Sequence, residues 1–140
     1  MKEKLCRALA ASNLFGHQEL IMAMVLCTGW DQGLLATRAL ILQSAGHEVH
    51  QARTQNELVS ACEEYQFDVV VIGQTVSLKM KRLISSLVRQ HCPDVRILEL
   101  YQPHLGKAVE HADSWLAVPA DIPSELAEEV SRLANIPASS

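Results

Sequence analysis

The stretch Phe67–Ser77, FDVVVIGQTVS, holds four consecutive β-branched residues, Val69 to Ile72, ended by Gly73. A strand with one wet face alternates apolar and polar residues, whereas a run that is apolar at every position needs cover on both faces. The arrangement that supplies such cover is a parallel sheet with helices packed on each side. That requirement constrains the whole chain, because parallel strands need crossover connections between them.

The rest of the sequence supplies those crossovers. IMAMVLCT (21–28) reads as a strand, and QGLLATRALILQSAG as a helix with Leu34, Leu35, Ala39, Leu42 and Ala45 at helical spacing and Gly46 as its stop. HEVHQA is a short strand. TQNELVSACEEY opens with Thr54 and Glu57 in capping-box spacing and reads as a second helix. SLKMKRLISSLVRQHC follows the apolar run as a helix that ends before Pro93, and VRILEL is a fourth strand. A short helical piece is expected around LGKAVEHA, then a fifth strand SWLAV, then a closing helix PSELAEEVSRLAN with Leu126, Val130 and Leu133 on one stripe. The pattern is (βα)5, an α/β doubly wound sandwich of the flavodoxin-like type with strand order 2-1-3-4-5. Sites in such sheets lie at the carboxyl ends of the strands, here Thr28 to Asp31, Gly73 to Ser77, Leu100 to Pro103 and Val118 to Pro119.

The organisation expected is an N-terminal extension over 1–19 with a short helix, a single domain over 20–136, and a tail over 137–140. One domain suits 140 residues. A net charge of -4 and a pI near 5.8 offer no broad cationic surface for phosphates, so nucleic acid is not an expected partner. The longest apolar stretch, Leu20 to Cys27, is well short of the ~20 residues that span a bilayer, so no membrane partner is expected either. Cys6, Cys27, Cys62 and Cys92 form no C-x-x-C pair and read as reduced thiols of a cytoplasmic protein.

The segments LILQSAGHEVHQART, FDVVVIGQTVS and ADSWLAVPADIPSEL resemble the first helix to second strand, the third strand and the fifth strand of response-regulator receiver domains, the CheY-like modules of bacterial two-component phosphorelays. The resemblance runs over about residues 21–135. In that family the third strand ends on a phospho-accepting aspartate, two acidic residues after the first strand bind Mg²⁺, a Ser or Thr ends the fourth strand, and a lysine precedes a proline after the fifth. Carried onto this chain, the acceptor position falls on Gly73 and the acidic pair on Gly29 and Trp30, leaving Asp31. The hydroxyl falls near Leu100 or Tyr101, and the lysine on Val118, with Pro119 kept. The resemblance thus implies a degenerate pseudo-receiver, with no metal, no cofactor and no enzymatic activity.

Asp31 reads as the N-cap of the first helix rather than a metal ligand, and Asp68 as a solvating residue at the start of its strand. Trp30 is expected to plug the vacated pocket. Lys79, Lys81 and Arg82 at a helix start form a candidate anion site. The histidines, among them His91, His104 and His111, read as structural or surface residues rather than zinc ligands. Trp115, inside a strand pattern, is expected to pack in the core.

The function expected is that of a stand-alone signalling domain acting by phosphorylation-independent protein interaction. Its partner would be a histidine kinase, another regulator or a second copy. In receivers the contact face is made by the fourth helix, fifth strand and fifth helix, which here implies Lys107, Glu110, His111, Trp115, Glu125, Glu128 and Glu129. No output domain follows in this chain, so an effect through binding is expected. The alternative is a flavodoxin-like domain for a small ligand or anion, for which no Gly-rich phosphate loop is present.

Overall fold

The computed structural model describes residues 22–119 and 124–135. The expected N-terminal helix and extension, and the tail after 136, lie outside the described residues. The elements run β1 (Met24–Thr28), α1 (Gln32–Ser44), β2 (Glu48–Ala52), α2 (Gln55–Glu64), β3 (Val69–Ile72), α3 (Leu78–His91), β4 (Arg96–Tyr101), β5 (Ser114–Ala117) and α4 (Ser124–Ala134). All strand pairs are parallel and the order is β2-β1-β3-β4-β5, as the alternation predicts.

The two faces of the sheet each own a core. Leu26, Val70, Ile72 and Ile97 pack with Leu58 and Cys62 of α2 and with Ile84 and Val88 of α3. On the opposite face Val25, Cys27, Val69, Val71, Leu98 and Leu100 meet Leu35 and Leu42 of α1 and Leu126, Val130 and Leu133 of α4. All four residues of β3 are buried, so the unbroken β-branched run does face helices on both sides. Each fully buried Val, Leu or Ile contributes about 1.5–3 kcal/mol of transfer free energy, which makes these two layers the main source of stability.

Local signals set the helix boundaries. Asp31 Oδ1 accepts from Leu34 N at 3.0 Å, Thr54 Oγ1 from Glu57 N at 3.1 Å, and Ser77 Oγ from Met80 N at 3.2 Å, each satisfying an amide of a first turn. Glu57 Oε1 reaches back to Arg53 N at 2.7 Å. Gly46 ends α1 at φ +98°, in the left-handed region that a residue without a Cβ enters freely. Asp68 does more than solvate a strand start: its Oδ2 accepts from Met24 N at 2.8 Å and joins β1 to β3.

The predicted helix around Leu105–Ala112 does not form, so three described helices and one loop join the five strands, and α4 follows β5. Residues 103–105 make a turn in which the Leu105 and Gly106 amides both bond Gln102 O, and Gly106 sits at φ +82°, outside helical backbone. The next amides are taken by a side chain. Glu99, wholly buried in β4, accepts from Ala108 N at 2.8 Å and from Val109 N at 2.8 Å. Amides engaged this way cannot serve an i→i−4 ladder, so the connection stays a loop held against the sheet.

Candidate functional site

The carboxyl ends of β1, β3, β4 and β5 converge as the strand order requires. Gly73 N donates to Thr28 O at 3.0 Å, Thr28 Oγ1 donates to Val71 O at 3.0 Å, and Val118 N donates to Tyr101 O at 2.9 Å. Gly29, Gly73, Tyr101 and Val118 therefore stand at one sheet edge. The Val118–Pro119 peptide is cis.

The space beside Gly73 is filled by Arg38. This arginine belongs to the buried stripe of α1, with Leu35, Ala39 and Leu42, and is 7% exposed. Its Nη2 donates to Gln74 Oε1. A Cβ built on Gly73 would lie 3.0 Å from Arg38 Nη1 and 3.1 Å from Thr28 O, so even an alanine would crowd the slot. Burial works against the guanidinium's charge, and Asp31 works for it. Cys27, also beside Arg38, has its thiol pushed up to about 12 by burial and is neutral near pH 7.

Trp30 is not the plug. It is 39% exposed, because the residue after Gly29 turns outward at the top of β1 and the interior is already occupied by Arg38. Asp31 caps α1, as its residue type predicts.

The basic residues at the start of α3 do not converge on an anion site: Lys81 turns to the sheet, while Lys79 and Arg82, three residues apart, stay on the outer face. Lys79 is exposed, and Arg82 Nε donates to Ala108 O at 3.3 Å. Lys81, 2% exposed, points at the sheet, where Nζ donates to Glu99 Oε2 at 2.9 Å and to Leu100 O at 2.7 Å. A buried ammonium held by a carboxylate has little charge left for an exogenous anion.

The expected contact face is re-formed by the missing helix. Lys107 lies on the loop, with Nζ 4.8 Å from the Trp115 ring centroid and 5.6 Å from that of Tyr101, a cation–π arrangement. Trp115 is half-buried against the α2–α3 core and its Nε1 donates to Val109 O at 3.1 Å. Glu110 and His111 are exposed on the loop, and the His111 carbonyl accepts from Arg89 Nη2 at 3.1 Å. Glu125, Glu128 and Glu129 sit on α4, across the sheet from Trp115. Glu129 accepts from Ser114 Oγ and pairs with Arg132, which holds its carboxyl below the usual range.

Among the described residues no group of three or more His, Cys, Asp or Glu side chains could hold a metal ion. His104 is exposed and His91 Nδ1 lies 3.6 Å from Glu63. His47 is buried: its Nδ1 accepts from Ala23 N at 3.1 Å and its Nε2 bonds Ser131 Oγ at 3.1 Å. No described helix is long and apolar enough to cross a membrane.

Sequence reasoning missed Arg38, Gln74 and Glu99. The visible signals were a cation on the apolar stripe of α1 and a lone acid inside RILELY.

No family model matches the chain, and no curated protein matches it. Solved structures do. The chemotaxis response regulator CheY4 of Vibrio cholerae is 24% identical, over 80% of this chain and 98% of that one, with a TM-score of 0.67. The Thermotoga maritima response regulator TrrA, solved in complex with Mg²⁺ and BeF, is 20% identical over 80% of this chain and 99% of that one, at 0.65. The receiver domain of sensor histidine kinase PA1611 from Pseudomonas aeruginosa, with magnesium in its active-site cleft, is 16% identical over 82% and 99%, at 0.67. This chain has the fold of the CheY-like response-regulator receiver domains.

Proposed function

We propose that this domain is a receiver-type signalling module that works by binding a protein partner and does not accept a phosphoryl group. The observation that carries the reading is the packing of Arg38 against Gly73. A receiver pocket needs a nucleophilic carboxylate, oxygen ligands for Mg²⁺ and a cation poised for the phosphoryl oxygens. At this sheet edge the third strand ends without a side chain, Asp31 is committed to its helix cap, and a permanent cation already fills the slot. With no acceptor and no room for one, the scaffold has its surfaces left to act with. A histidine kinase, an intact regulator or a second copy are the partner classes that the receiver fold brings with it.

The direct test is incubation with acetyl phosphate and Mg²⁺ followed by intact-mass measurement. The mass is expected to stay that of the unmodified chain. A stable phosphoryl adduct would overturn the proposal.

A further inference from the structure

We infer that the seam between α3 and the loop 102–111 is a docking groove for an acidic amphipathic helix of a partner protein. The inference rests on the interaction-module reading and names the surface and the chemistry it recognises. It follows from the helix that does not form. In a (βα)5 layout the crossover between β4 and β5 packs beside α3, and here a loop takes its place.

Two adjoining depressions mark the seam. One, of about 370 Å³, is lined by residues 74–78 with Lys81, Gln102 and Leu105; the other by Arg82, Ser85 and residues 108–111. Along α3 they extend from Leu78 to Ser85, about 10 Å at helical rise, enough for two turns of a second helix. The wall carries apolar anchors in the open, with Leu78 38% and Leu105 54% exposed. Scattered exposed leucines are ordinary, but two facing one groove form the apolar stripe that helix-in-groove recognition uses.

Charge selects the occupant. No carboxylate occurs between residues 69 and 93 or between 100 and 109, while Lys79 is exposed beside Leu78 and Arg82 is exposed in the second depression. The carboxylate beneath, Glu99, is buried and already paired with Lys81. Glu110 lines the second depression with Arg82 and His111, away from Leu78 and Leu105. An α3 wall with exposed cations and no carboxylate, on a chain of net charge -4, fits a helix with leucine-type anchors flanked by Glu or Asp, whose approach its field would steer.

The test uses the full chain and a fluorescent helix-forming peptide with leucines at heptad a and d spacing and glutamates flanking them, followed by anisotropy. Saturable binding is expected, weakened about tenfold or more by Lys79→Glu or by Leu105→Asp, weakened by salt, and absent for the same peptide with lysine in place of glutamate. Both substitutions are at exposed positions, and unchanged circular dichroism checks that the variants fold. Equal binding of the two peptides, no saturable binding, or indifference to both substitutions would overturn the inference. So would concentration-dependent self-association that Leu105→Asp abolishes, which would make a second copy the occupant. A phosphoryl adduct at the sheet edge would instead overturn the reading of the pocket, so the two failures are distinct.

Discussion

Replacing Lys81 with methionine keeps the aliphatic stem and removes the ammonium that neutralises Glu99. In the native structure Glu99 is 0% exposed and holds Lys81 Nζ at 2.9 Å together with the amides of Ala108 and Val109 at 2.8 Å each. After the substitution two amide donors remain around a buried carboxylate, and breaking such a pair costs about 3–5 kcal/mol. That is a large share of the roughly 5–15 kcal/mol typical of a domain, and at about 1–3 kcal/mol per molar it lowers the urea midpoint by roughly 2 M. Glu99→Gln is expected to cost a similar amount, because it leaves Lys81 buried without its counter-charge. The double variant Lys81→Met/Glu99→Gln removes both charges and keeps one carbonyl oxygen to accept from the loop amides, so at most one amide is stranded, at about 1–3 kcal/mol if water cannot reach it. Its cost therefore falls below the sum of the singles, which a double-mutant cycle reads as coupling. Urea unfolding followed by tryptophan fluorescence measures the cycle, and amide exchange at Ala108 and Val109 reports whether the loop has come loose. Strictly additive effects, or a Lys81→Met cost under about 1 kcal/mol, would refute the claim that this pair holds the loop in place of a helix.

Gly73→Ala is expected to destabilise by about 1–3 kcal/mol, because its Cβ meets both Arg38 and the Thr28 carbonyl; pairing it with Arg38→Ala should recover only part of that, since the backbone oxygen stays. His47 is held neutral by burial and its pKa lies below 6.5, with Asp68 pulling the other way. The unfolded chain thus binds a proton more readily, and stability is fully present above 6.5 and lost as pH falls toward the lower folded value. A His47→Leu variant should lack that slope in urea midpoints taken across the window. Cys27 should resist a thiol reagent in the folded protein and react once it is unfolded, read by absorbance, given its burial and a pKa pushed to about 12.

The sheet was readable because its signals are local. The run at Val69–Ile72, the stripe of Leu126, Val130 and Leu133, and the caps at Asp31 and Thr54 each depend on a few neighbouring residues. The absent helix was not, because LGKAVEHA has helical composition and what unmakes it is Glu99, nine and ten residues back, taking two of its amides. Gly106 was the one local warning. The filling of the site was hidden for the same reason: Gln74 is 36 residues from Arg38, and no spacing rule connects a helix cation to a loop amide at that separation. Trp30 was the more conspicuous residue by size, yet the side chain that reaches inward comes from the second turn of α1.

The central claim is that Arg38 closes the slot beside Gly73 and leaves no site for metal and phosphoryl oxygens. Titration of isotopically labelled protein with Mg²⁺ and beryllofluoride, followed at the Gly73 and Thr28 amides and the Arg38 guanidinium, tests it most directly. These resonances are predicted to stay in place throughout. A saturable shift at Gly73 and Thr28, with Arg38 released from Gln74, would contradict it.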